Sequence, residues 1–314
     1  MASSSLAQAP APPHRGRLLR SEAIWFYVFI SPWILGFILF AGGPILASSY
    51  LSLTHNDPVN WPPKWIGLLN YEQLIHDPLF YKSLLVTVYY VALEVPLSVV
   101  FAVIIALLLN QKIPFLSLWR TVYYLPAVTA GVAVALMWGL VFNSTFGLLN
   151  GVLYSLFGIV GPNWLLDPNI VIPTFVIMGL WQFGGPMLIY LAGIQAVPST
   201  LFEAAEIDGA NVLQKMWHVT IPSITPVIFF NLIMGIIGSF QTFTPAFILT
   251  QGGPDYASYF YVFNIYQNAF TYISNMGYAD ALSWILFMVM LLFTLLAFQS
   301  SHFWVHYESP NEGR

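Results

Sequence analysis

Six apolar stretches, at residues 24–49, 84–109, 122–142, 170–191, 222–243 and 281–298, leave this chain few folds to choose from. Each is about the length that a helix needs to cross a bilayer's ~30 Å hydrocarbon core. Each is bounded by polar or Gly/Pro-containing connections. The runs are continuous and lack the alternate-residue pattern of barrel strands, so helices are expected, with backbone polar groups satisfied inside each span. Composition agrees: 7% of the 314 residues are charged and 58% hydrophobic, against about 25% charged in a soluble domain. Too few charges remain to cover a water-exposed surface. The expectation is an all-α polytopic membrane protein with six transmembrane helices.

A net charge of −4, thinly scattered, offers nothing to nucleic acid. The absence of cysteine excludes a disulfide, a thiolate metal site and a cysteine nucleophile. The segment 1–20 is Ser/Ala/Pro-rich with Arg15, Arg17 and Arg20, and is expected to be a disordered cytoplasmic tail. The apolar run behind it exceeds the ~7–15 residues of a signal core, which makes it a retained first span. Residues 21–300 then form the membrane domain and 301–314 a cytoplasmic C-terminal tail. With the N-terminus inside, Arg15, Arg17, Arg20, Lys112, Arg120, Lys215 and Arg314 lie on the cytoplasmic side, and only Lys64 and Lys82 outside. That asymmetry places both termini in the cytoplasm.

The non-membrane pieces at 51–83 and 244–280 are too short to bury much core of their own. Their aromatics and those of the other outer loop (Trp61, Trp65, Tyr71, Phe80, Tyr81, Trp164, Tyr256, Tyr259, Tyr261) read mainly as interfacial belts. Prolines at 32, 44, 96, 126, 186 and 226 predict kinks within the spans.

Between the fourth and fifth spans, at 198–222, lies a polar island. Glu203-Ala204-Ala205-Glu206-Ile207-Asp208-Gly209-Ala210 predicts a short helix closed by a glycine turn, with Ser199 or Thr200 available as its cap. A second short helix, 212–219, leads to Ile221-Pro222. By the charge asymmetry this hairpin is cytoplasmic. An alanine-faced hairpin there is suited to close approach by a soluble partner, although an ordinary amphipathic connector would also use such residues.

Polar side chains inside a membrane bundle are costly and tend to be functional or to face a partner. The fourth span carries Trp181, Gln182, Phe183, Met187 and Tyr190; the fifth carries Asn231, Ser239, Gln241, Thr242 and Phe243. Aromatic faces with amides and hydroxyls suit a sugar, and these ten residues are the candidate solute path. A helix-packing interface is the competing explanation. Glu94, beside Pro96, stands alone as a carboxylate well inside a span and is expected to pair with a neighbour or face a partner subunit. His302 and His306, at i and i+4, have no third ligand nearby and read as an interfacial pair rather than a metal site.

The pattern Glu-Ala-Ala, three residues, Gly, nine residues, then Val219-Thr220-Ile221-Pro222 resembles the coupling loop of ABC importer permeases. Val219 and Ile221 stand where that family more often has Ile and Leu. Leu249-Thr250-Gln251-Gly252-Gly253-Pro254, Leu191-Ala192-Gly193-Ile194-Gln195 and Phe146-Gly147-Leu148-Leu149-Asn150 are similar to its carbohydrate-importing branch. The resemblance spans 24–298 and implies a type I importer permease in a bacterial or archaeal cytoplasmic membrane. It implies, as partners, a second homologous permease, a cytoplasmic ATPase dimer, an extracytoplasmic solute-binding protein and membrane lipid, with the sugar site between the fourth and fifth spans. The hairpin's role would be mechanical. Glu203 and Asp208 would fix it through polar contacts, Ala204 and Ala205 would fill a socket on the ATPase, and Gly209 would set its shape.

No Gly-x-x-x-x-Gly-Lys-Ser/Thr loop occurs in the chain. ATP and Mg are therefore expected on the partner ATPase, with no cofactor on this chain and no catalytic residue in it. A glycerol phosphate or other polyol is the alternative cargo, but an anion would want a cationic clamp and no Lys or Arg lies in the candidate path, which favours a neutral saccharide. An autonomous channel would need no such hairpin. A membrane-embedded enzyme would need a constellation of acids or histidines that Glu94 alone does not supply.

Overall fold

The computed structural model describes residues 15–57, 62–111, 113–272 and 276–306. The chain divides into two compact units after Leu51. In the first, α1 (Arg15–Phe37) runs through a π-helical turn (Ile38–Gly42) into α2 (Gly43–Leu51). Together they supply an apolar span, Glu22–Leu51, with mean hydropathy 2.0. Helix already covers 15–20, so the expected disordered tail is shorter than 1–20; residues 1–14 lie outside the described residues. Trp25, Phe29 and Phe40 are exposed on the surface of this unit, as a span solvated by hydrocarbon requires.

The second unit opens with a two-stranded antiparallel ribbon, β1 (Thr54–His55) and β2 (Lys64–Trp65), with Thr54 opposite Trp65. Buried Asn70, on α3 (Leu69–His76), holds the ribbon by donating from Nδ2 to the carbonyls of Ser52 (2.8 Å) and Thr54 (3.0 Å). The helix α4 (Pro78–Leu109) follows, starting before the apolar run because Asp77 caps it. Asp77 Oδ1 accepts from the Leu79 N–H at 2.8 Å, and Pro78 occupies the first turn, where a missing N–H costs nothing.

Three of the six expected spans are broken rather than continuous. The third comprises α5 (Leu116–Tyr124), a 3₁₀ turn (Leu125–Val128) and α6 (Gly131–Val141), bent by 101°. After α7 (Leu148–Phe157), the fourth comprises α8 (Val171–Leu180) and α9 (Gly184–Ala196), bent by 49°. Next come α10 (Ser199–Ile207), α11 (Val212–Lys215), a π turn (Met216–Thr220) and α12 (Ile221–Ser223), which meets α13 (Thr225–Phe240) at 64°. Pro186 and Pro226 fall in the first turn after the change of direction, where a helix makes no bond from N–H, whereas Pro126 sits in the 3₁₀ turn just before the third span's break. Apolar composition marks such a segment as membranous but does not report where its axis turns. The chain ends with α14 (Tyr261–Tyr266) and the long α15 (Met276–Trp304). Three unbroken spans and three bent pairs make six.

The central helix is α4, which packs against α8, α9, α13 and α14. Ala102 and Ala106, one turn apart and fully buried, join the cluster that contains Phe183 and Met187 of the fourth span. Small residues at that spacing let helices approach closely.

The segment 244–272 departs from expectation. Tyr259 and Tyr261 are not belt residues but core, and Phe260 and Phe263 are buried with them. Phe260 meets Tyr90 edge-on at 5.2 Å and stacks on Phe175 at 5.9 Å. The Tyr261 N–H donates to Thr87 Oγ1 (2.9 Å) and its hydroxyl to the Leu282 carbonyl (3.1 Å). A short piece needs no core of its own when it re-enters that of the bundle. Phe80 is likewise buried, whereas Trp65, Tyr81 and Tyr256 stay exposed; Trp61 lies outside the described residues. At the other end, 301–306 is not a free tail. Helix continues to Trp304, which meets Phe229 edge-on, and the His306 N–H donates to Thr225 Oγ1 (2.9 Å). Residues 307–314 lie outside the described residues.

Candidate functional site

The breaks in the spans leave a cavity of about 470 Å³ among α4, α6, the α8–α9 junction, α13 and the segment that follows it. Gln182 sits at the junction, its N–H bonded to the Gly179 carbonyl at 2.9 Å as the helix stops. At the end of α13 the chain tightens, with the Gln241 N–H on the Gly238 carbonyl and the Thr242 N–H on that of Ser239, which delivers Gln241, Thr242 and Phe243 to the wall. Asn231 lines the wall lower on α13, its Nδ2 bonded to the Val227 carbonyl at 3.0 Å. Phe243 packs against Phe247 and Tyr266, each with ring centroids 5.1 Å away. Tyr190 lines the cavity from α9, and its buried hydroxyl finds no partner among the described residues.

Seven of the ten candidate path residues therefore share one cavity: Gln182, Tyr190, Asn231, Ser239, Gln241, Thr242 and Phe243. The other three do not line it. Trp181 lies edge-on to Trp138, Phe183 lies edge-on to Phe101 at 4.9 Å, and Met187 is fully buried in the cluster against α4. Phe183 and Met187 pack against α4 and Trp181 against Trp138 of α6, and an aromatic or methionine in an apolar span carries no mark of which neighbour it meets.

Helix α4 supplies what the sequence reading missed. Tyr90, Glu94 and Ser98 line the cavity, and their four-residue spacing puts them on one helical face. That spacing was the available signal. Ser239 Oγ donates to Glu94 Oε2 at 2.5 Å, so the expected pairing of Glu94 is with α13 of its own chain. No Lys, Arg or His lines the cavity among the described residues.

The hairpin at 198–222 is built differently. Helix α10 begins without a side-chain cap, so neither Ser199 nor Thr200 serves; Pro198 starts it instead. It ends in a Schellman turn: the Gly209 N–H bonds to the Glu206 carbonyl (3.0 Å) and the Ala210 N–H to that of Ala205 (2.9 Å). Gly209 has φ +77°, a left-handed conformation that costs glycine nothing. Asn211 and Gln214 then form a reciprocal capping box on α11, at 2.9 and 2.7 Å. Lys215 Nζ reaches back to Glu206 Oε1 at 2.7 Å and ties the two arms. That hydrogen bond, then the charge of Lys215, holds the Glu206 carboxyl below its usual range.

The fixing role expected of Glu203 and Asp208 thus belongs to Glu206, Lys215, Asn211 and Gln214. Among the described residues no hydrogen bond or ion pair uses the Glu203 or Asp208 carboxylate, which leaves both open to a partner. Between the arms is a groove lined by Leu201, Ala204, Ala205, Asp208, Gly209 and Gln214, among others. Beside it, Ile207 is 87% and Val212 75% exposed, with Leu213 and Trp217 also outward. Four large apolar side chains are thus exposed on one short hairpin. No group of three or more His, Asp or Glu gathers as a metal site among the described residues.

Residues 78–303 match the family of binding-protein-dependent transport system inner membrane components. The chain belongs to that family. The permease is 41% identical to the probable ABC transporter permease protein YesP of Bacillus subtilis over 95% of this chain and 97% of the relative. It is 31% identical to the trehalose/maltose transport system permease protein MalF of Thermococcus litoralis, over 91% and 97%. Its fold matches a solved chain of a bacterial alginate ABC transporter, in complex with an alginate pentasaccharide-bound periplasmic protein, with TM-score 0.78, 20% identity and coverage of 90% and 95%. The permease is therefore a multi-pass transport subunit of an ABC importer and not the ATP-hydrolysing one.

Proposed function

We propose that this permease carries a sugar or oligosaccharide into the cytoplasm through the cavity between α4, α8–α9 and α13. One observation carries the reading: within apolar spans, amides, hydroxyls and aromatic rings converge on a single space of about 470 Å³. Neutral hydrogen-bonding groups replace a sugar's hydration, while Tyr90, Phe175, Tyr190 and Phe243 offer ring surface to its C–H faces. The sugar named for the relative MalF supports the same class.

An extracytoplasmic binding protein delivers the solute, and a second homologous permease completes the path. The hairpin seats on a cytoplasmic ATPase dimer, with Ala204 and Ala205 in the contact, Gly209 setting its shape, and Glu203 and Asp208 facing the ATPase. ATP and Mg are held by that ATPase, and this chain holds no cofactor. Lipid covers the outward apolar faces, and both termini lie in the cytoplasm.

Purification of the chain from native membranes in mild detergent tests the assembly. Co-purification of a similar-sized permease and an ATPase is expected, and uptake of candidate saccharides by the reconstituted complex identifies the cargo. A chain that emerges alone, with dissociation controlled for, would overturn the reading in favour of an autonomous channel.

A further inference from the structure

The cavity holds one carboxylate, set among groups that cannot neutralise it. Glu94 lies where α4, α8 and α13 meet. Ser239 engages Oε2, and a carboxylate has about four acceptor positions, so most of its capacity is left over. On its other side α8 presents Gly179: a Cβ there would stand 3.3 Å from Glu94 Cγ, 3.4 Å from Oε1 and 3.1 Å from the Tyr90 hydroxyl. The missing side chain makes room for the acid and the phenol at the wall. The remaining polar lining, including Ser98, Gln182, Tyr190, Gln241 and Thr242, is uncharged, and no basic side chain of the described residues faces the acid.

We propose that Glu94 sets the charge selectivity of this cavity, accepting hydrogen bonds from hydroxyl or ammonium groups of a saccharide and excluding carboxylated ones. The proposal rests on the cavity's being the solute path. An acceptor-only group between low-dielectric walls attracts donors strongly. A uronate brought beside it meets a like charge with little water to screen the repulsion. A neutral sugar hydroxyl donates to the free oxygen without penalty, and an amino sugar gains a charge-assisted bond.

The test uses the intact transporter, purified as a complex and titrated calorimetrically with three trisaccharides: galactotriose, trigalacturonate and fully deacetylated chitotriose. Wild type is expected to bind the uronate at least tenfold more weakly than galactotriose, and the amine at least as tightly. Glu94→Gln keeps an acceptor for Ser239 and removes the charge; it should bring uronate and neutral sugar within about twofold and weaken the amine. Equal binding of uronate and galactotriose by wild type overturns the proposal without recourse to any variant. So does an unchanged ratio in Glu94→Gln. Gln182→Trp, which fills the cavity, separates the two readings: if galactotriose binding survives it unaltered, the solute sits elsewhere and the path reading itself falls.

Discussion

The hairpin at 198–222 and the membrane cavity are held by contacts of different range. Every bond that shapes the hairpin joins residues no more than nine apart, from the capping box to the Glu206–Lys215 pair. The cavity depends on bonds such as Ser239–Glu94, which spans 145 residues. The hairpin is a self-contained local device, which suits the docking role proposed for it. The cavity is made from several helices distant in sequence, with breaks at 129–130, 181–183 and 224, which suits a solute path that opens and closes as proposed. Damage should accordingly separate into two kinds, uncoupling at the hairpin and altered selectivity or stability at the cavity.

The largest effect is expected at Gly209. Gly209→Val puts a β-branched residue at φ +77°, a conformation that L-residues adopt only at a cost of about 1–2 kcal/mol. Open space surrounds the position, so the chain still inserts in the membrane, but the turn is reshaped. Uptake by the reconstituted complex should fall at least tenfold with normal yield, and Glu203→Lys should do the same by reversing an exposed charge on the docking face. Full uptake by a stable Gly209→Val protein would break the comparison, since the hairpin would then be a mere connector.

Met187→Ala comes next. Met187 is fully buried in the cluster against α4. Its truncation should cost about 2–5 kcal/mol, read as a lowered melting midpoint in detergent. Gln182→Ala, five residues away on the cavity wall, should instead lower sugar affinity and leave the midpoint nearly unchanged. Equivalent behaviour of the two would erase the distinction between packing and lining on the fourth span.

Tyr190→Phe is predicted to be nearly neutral in stability, because it removes a buried hydroxyl with no protein partner. The variant should show weaker solute binding by a few-fold. A clear loss of melting temperature would mean that the hydroxyl supports the bundle rather than the cargo.

The smallest effect belongs to the Glu206–Lys215 pair. A depressed carboxyl pKa gives stabilisation that is present above the unfolded-state value near 4.5 and is lost as pH falls through the folded value. The Glu206 side chain is largely exposed, so Lys215→Ala should shift melting barely at pH 7, and the difference from wild type should shrink further as pH is lowered below 4.5. A large shift at pH 7 would show that the salt bridge outweighs the Schellman turn and capping box.

The sequence by itself determined the membrane class, the number of spans, the place of the hairpin and the need for glycine at 209, because each follows from residues close together along the chain. Hydropathy over ~20 residues is a local quantity. A turn that closes within six residues is another. Only the tertiary structure decided that Glu94 pairs with Ser239, that Trp181, Phe183 and Met187 pack while Gln182 and Tyr190 line, and that Tyr259 and Tyr261 re-enter the core. Those outcomes depend on how α4, α9 and α13 are rotated and bent against one another. Nearly uniform apolarity around these helices leaves that rotation unwritten in any single span. It is settled by close packing among side chains distant in sequence, such as Ala102 and Ala106 with the fourth span.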